Sequence, residues 1–119
     1  FLFELNLDAI YERSSLKTKT FNRPSKFPSS FRDISVIGKD SVTASQITQL
    51  LMSNKLVTVA YILDTYRDEE IGQGKVSLTV RIIFQSIERT LKASEIDKTQ
   101  KTLFDLLDKK LGVKQRFVA

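Results

Sequence analysis

A chain of 119 residues, 41% of them apolar, is the size of one domain and can supply one ordinary core. It contains neither cysteine nor histidine, which excludes disulfides and thiolate or imidazole metal sites and removes the commonest general base; no catalytic residue, metal ligand or bound cofactor is expected. The formal charge of +5 resides entirely in residues 11–39, where Arg13, Lys17, Lys19, Arg23, Lys26, Arg32 and Lys39 face only Glu12 and Asp33, a footprint that suits a phosphate backbone and equally a solvated linker.

Residues 1–10 alternate, with Phe1, Phe3, Leu5 and Leu7 on one side, and predict a strand with no partner nearby. Opening on Phe1 inside such a pattern, the chain reads as a piece of something longer, and this orphan strand should fray or pair with a neighbouring copy. Residues 11–30 lack periodicity and hold both prolines, Pro24 and Pro28, which predicts an extended connector over the surface. Ile34-Ser35-Val36-Ile37 then predicts the first strand of a folded unit, ended by Gly38-Lys39-Asp40. Thr43 and Gln46 form a candidate capping box, and Ile47, Leu50 and Leu51 give the apolar stripe of a short helix.

The runs 56–66 and 76–85 are rich in β-branched and aromatic residues and should pair as a hairpin around a polar loop containing Gly72 and Gly74. From Ser94, Ile96, Leu103, Leu107 and Leu111 recur at helical spacing until Gly112, and a last strand is expected over 113–117. The order strand, helix, strand, strand, helix, strand predicts an α+β fold of ferredoxin-like βαββαβ type, a four-stranded antiparallel sheet with two helices on one face.

Alternation assigns the two faces. Val76, Leu78, Val80, Ile82 and Phe84 should meet the helices, which leaves Ser77, Thr79, Arg81, Ile83 and Gln85 on the uncovered side. The same logic puts Ser35, Asp64, Tyr66, Lys114 and Arg116 there and sends Ile34, Val36, Leu63 and Val113 inward. A ring flanked by carboxylate, hydroxyl and cationic groups can hold a splayed base of single-stranded RNA, and can also serve a protein or small-ligand surface. A third use of this topology, acyl phosphate hydrolysis, needs a glycine-rich phosphate loop with a nearby Arg; the loop GKDSVTAS supplies neither.

Three stretches in register carry a resemblance. RPSKFPSSFRDIS (23–35), LDTYRDEEIGQGKVSLTVRIIF (63–84) and ERTLKASEI (88–96) resemble the entry motif, the hairpin and the second-helix entry of the ferredoxin-fold anticodon-binding domain of phenylalanyl-tRNA synthetases. FELNLDAI (3–10) is similar to the strand that leaves the catalytic-like domain of bacterial beta subunits of these enzymes. The resemblance implies a division into 1–22, an N-terminal strand and basic linker from a preceding catalytic-like domain, and 23–119, the anticodon-binding domain. It implies binding of phenylalanine tRNA, chiefly the first anticodon base, through Ser35, Asp64, Tyr66, Ser77 and Lys114, with Arg81 joining them on the same face. It places the ATP, the magnesium and the ligase chemistry elsewhere in a parent enzyme, together with an alpha subunit partner.

Leu63 stands where that family has Phe, and Lys114 is matched to an Arg, keeping charge but losing the planar fork. Lys92 occupies a position where the family commonly has a capping Thr, so Ser94 becomes the candidate cap. Arg32, Asp33, Arg89 and Thr90 are read as structural, holding the connector and the helix entry. No apolar run approaches the roughly 20 residues needed to cross a bilayer and no signal peptide is visible, which predicts a cytoplasmic protein with no membrane partner.

Overall fold

The computed structural model describes residues 1–14, 20–67 and 69–117. In chain order its elements are α1 (Leu7–Arg13), β1 (Ser30–Lys39), α2 (Ala44–Met52), β2 (Val57–Tyr66), β3 (Lys75–Phe84), α3 (Ala93–Leu111) and β4 (Lys114–Gln115), with a single 3-10 turn at Glu69–Ile71 in the β2–β3 loop. The strands form one antiparallel sheet in the order β2-β3-β1-β4, the arrangement expected of a βαββαβ chain. Helices α2 and α3 cover one face.

The predicted N-terminal strand is not formed. Asn6 accepts from the Ala9 backbone N–H at 3.1 Å and starts α1, which has an acidic residue in its first turn and Arg13 in its last. A strand without a neighbour leaves its backbone groups to water, whereas a helical turn pairs them locally, and that difference overrides the alternation of the apolar residues. None of α1 is buried. Lys17 and Lys19 of the basic stretch lie outside the described residues.

The connector is anchored at its end. Ser25 Oγ donates to the Ser86 carbonyl at 2.7 Å and accepts from the Phe27 N–H, while Gln85 Nε2 donates to the Phe27 carbonyl at 2.7 Å. These bonds steer the chain into β1, which starts four residues earlier than predicted and pairs with β3 over its whole length. The helix-facing side of β3 is fully buried at Val76, Leu78, Val80, Ile82 and Phe84, as the alternation predicts, and joins Ile34 and Val36 of β1, Ile47 and Leu51 of α2, and Ile96, Leu103 and Leu107 of α3 in one core.

The predicted capping box of α2 is present, with Gln46 N donating to Thr43 Oγ1 at 3.2 Å and Thr43 N to Gln46 Oε1 at 2.9 Å. Helix α3 begins one residue before the predicted Ser94. Its N-cap is Lys92, whose N–H donates to Glu95 at 3.0 Å, and Arg89 grips the same carboxylate at 2.6 Å. Arg89, and behind it the Lys92 N–H, hold the Glu95 carboxyl down to about 2, from an ordinary 4.5. Because the folded-state value is the lower one, this stabilisation is complete above about pH 4.5 and is lost as pH falls towards 2. Thermal midpoints followed on acidification should therefore drop more steeply in the unaltered chain than in Glu95→Gln, which lacks the titrating group.

At the other end, Gly112 adopts the left-handed conformation at φ 62° and donates to the Asp108 carbonyl, and Val113 donates to that of Leu107, closing α3 as a Schellman-type turn. Val113 is thereby driven into the core against Gly38 of β1, where an added Cβ would lie 2.9 Å from Val113 Cγ2. Gly38→Ala should cost about 1–3 kcal/mol in urea unfolding by overpacking, and Val113→Ala in the same chain should recover part of it, since the two sites share one contact.

Candidate nucleic-acid interface

Register fixes the composition of the uncovered face. Tyr66 of β2 lies across from Ser77 of β3, which lies across from Ile37 of β1 and then Lys114 of β4. The adjoining row is Asp64, Thr79 and Ser35, and the next is Tyr61, Arg81 and Asp33. The six predicted site residues thus share one face of the sheet, in three neighbouring rows.

Their surroundings differ. Tyr66 is 46% exposed, whereas Ser77 beside it is only 4% exposed although no helix of the described residues covers this side. The cause is Arg116. Its backbone N–H donates to the Ser35 carbonyl at 2.7 Å, extending the β4 pairing by one residue, and from there its side chain lies across the sheet. The guanidinium donates to Ser77 Oγ at 3.2 Å and sits 5.7 Å from the centre of the Tyr66 ring, a cation over an aromatic face. Lys114, the residue matched to the family's basic position, is exposed in register with Ile37. Alternation assigns Arg116 to this face but not to the site; its reach across two strands is a property of side-chain length that alternation does not encode.

Ser35 Oγ and Thr79 Oγ1 lie 3.5 Å apart in the floor between the two edges. Asp64 is exposed, and one of its oxygens accepts from the Thr65 N–H at 2.8 Å. Leu63 corrects the reading that placed it in the core. The ladder between β2 and β3 slips between Ile62 and Asp64, Leu63 is the supernumerary residue, and it is 43% exposed. A second slip, between Val57 and Val59, lies at the other end of β2.

Arg81 is on the predicted face but already paired. Its Nε and Nη2 donate to the two oxygens of Asp33, each at 2.7 Å, and its guanidinium carbon lies 4.5 Å from the centre of the Phe31 ring. The hydrogen-bonded pair favours both charged forms, raising the pKa of Arg81 and lowering that of Asp33. Asp33, read from sequence as structural, is the cross-strand partner of a face residue. Phe31 and Tyr61 were missed as members of this face. Counting back by twos from Ser35 finds Phe31, but the prolines upstream marked it as connector.

Comparison with known proteins bears on what such a face does. The profile of the ferredoxin-fold anticodon binding domain matches residues 25–116. The phenylalanine-tRNA ligase beta subunit of Dehalococcoides mccartyi is 29% identical over 112 residues, 94% of this chain and 14% of that protein. That of Geobacter metallireducens is 38% identical over 92 residues, 76% of this chain and 12% of that protein, and that of Clostridium tetani is 27% identical over 118 residues, 98% and 15%. The chain therefore spans a small part, between 12% and 15%, of the length of these three relatives.

Proposed function

Because this chain belongs to the ferredoxin-fold anticodon binding domain family, we propose that it reads the anticodon of phenylalanine tRNA with the uncovered face of its sheet, as part of a phenylalanine-tRNA ligase beta subunit. One observation carries the reading: a guanidinium, an aromatic ring and a serine hydroxyl meet at Arg116, Tyr66 and Ser77, with the Asp64 carboxylate one row away. A base stacked on Tyr66 gains roughly 1–3 kcal/mol, Asp64 offers an acceptor to its edge, and Arg116 and Lys114 attract the adjoining phosphates. Ser35 and Thr79 are small enough to leave the floor open beneath it.

The ligase reaction, its ATP and magnesium, and the contact with an alpha subunit are proposed to reside in other parts of the parent. Among the described residues no glycine-rich loop leads into a helix. Gly38 packs on Val113, Gly72 and Gly74 turn the β2–β3 loop and Gly112 ends α3, so no glycine opens a helix.

Titrating the chain with the phenylalanine anticodon stem-loop tests the proposal, alongside the same stem-loop with its anticodon bases exchanged. The cognate loop should bind at least about tenfold more tightly, equivalent to about 1.4 kcal/mol. Affinity should also fall as salt rises, with a log–log slope of about −0.7 per phosphate contacted on a single strand. Equal affinity for the two loops overturns the proposal.

A further inference from the structure

Beyond the Tyr66 end, the same face carries a second assembly. Asp33, Arg81 and Tyr61 form one cross-strand row, and Phe31, Ile83 and Val59 form the next. Phe31 is 57% exposed and Tyr61 and Val59 are each 40% exposed, so this is aromatic and apolar surface left open to water. At its centre the Arg81 guanidinium is gripped along one edge by both Asp33 oxygens and stands over the Phe31 ring. A bidentate carboxylate fixes the plane of a guanidinium and neutralises its charge. Arg81 is therefore poorly suited to clamp a phosphate, and what it presents is a flat, pre-ordered surface beside two aromatic rings.

We infer that Phe31, Arg81 and Tyr61 form a second base-stacking platform, which takes another nucleotide of the same single-stranded RNA segment. This rests on the proposed anticodon reading. Bases stack on aromatic rings and on Arg planes alike, and such stacking leaves the polar edge of the base in water. Spacing fits one continuous strand. Ser77 and Arg81 are four residues apart on β3, about 13 Å at the rise of an antiparallel strand. A strand stacked as in a duplex advances about 3.4 Å per nucleotide and a splayed one roughly twice that, so the platforms lie about two to four nucleotides apart. A protein partner is less well matched, because its interface core would have to close over an intact ion pair, and such cores are depleted of carboxylates.

The test is a scan of the stem-loop in which each loop base in turn is replaced by an abasic nucleotide, against the unaltered chain, Phe31→Ala, Tyr61→Ala and Tyr66→Ala. Two sensitive positions are expected, two to four nucleotides apart, each costing roughly 5- to 150-fold in affinity. Tyr66→Ala should abolish the sensitivity of one, and Phe31→Ala or Tyr61→Ala that of the other. If a single position is sensitive, through Tyr66, and both other variants bind like the unaltered chain, the second platform is wrong while the anticodon reading stands. Concentration-dependent self-association that Phe31→Ala removes, with RNA binding unchanged, assigns the patch to a protein contact and also overturns it. Failure of the unaltered chain to bind any loop overturns both. Phe31 and Tyr61 are surface residues, so an unchanged melting temperature separates lost binding from lost folding.

Discussion

Replacing Phe84 with Ala should lower the free energy of unfolding by about 3–5 kcal/mol, the range for removing a large aromatic side chain from a packed core. Phe84 is completely buried at the last position of β3, in register with Ser30 on one side and Val57 on the other. It therefore closes the end of the core where both neighbouring strands begin. A domain of this size has about 5–15 kcal/mol in all, so the substitution removes a large part of it, and the urea midpoint should fall in proportion. Phe84→Leu, which refills most of the volume, should lose much less. Equal losses for the two substitutions would mean that the ring is not packed as described.

Tyr66→Ala should lower stability by no more than about 1 kcal/mol, the scale of a partly exposed contact with Arg116, yet weaken binding of the phenylalanine anticodon stem-loop by about 1–3 kcal/mol, roughly 5- to 150-fold. The separation arises because Tyr66 is about half exposed and sits at the end of the outer strand β2, outside the core. Tyr66→Phe tells ring from hydroxyl: if stacking carries the effect, Phe retains most of the affinity. Arg116 supplies the companion measurement. With its guanidinium removed, Ser77 Oγ loses its donor and the face loses a cation, so Arg116→Ala should both weaken binding and reduce the salt slope by about 0.7. A Tyr66→Ala chain that binds as tightly as the unaltered one sinks the assigned surface, whatever the salt dependence.

The parts legible in the sequence are those set by local pattern. Every second residue from Val76 to Phe84 is apolar, Thr43 and Gln46 stand at capping-box spacing, and Gly112 follows the last helical apolar residue; each specifies its structure through neighbours a few residues away. What was not legible depends on distant partners. Whether residues 1–10 make a strand is decided by the presence of a sheet edge, and without one the Asn6 cap prevails. Leu63 was sent inward because alternation counts every residue, while a bulge is defined by how the opposite strand is matched. Alternation puts Ser77 on its observed face but carries no information on its accessibility. Its burial comes from a long side chain anchored just past β4, so Arg116 rather than Lys114 is the cation that reaches it.

The two slips in the β2 ladder carry a further consequence. β2 is an outermost strand, with one side of its backbone unclaimed by the sheet. A straight ten-residue border of that kind is an invitation for a stranger's backbone to zip alongside and start a fibril. The ladder slips near Thr58 and again at Leu63, and because bulges kink the strand that carries them, such a border is a poorer template for a long foreign segment.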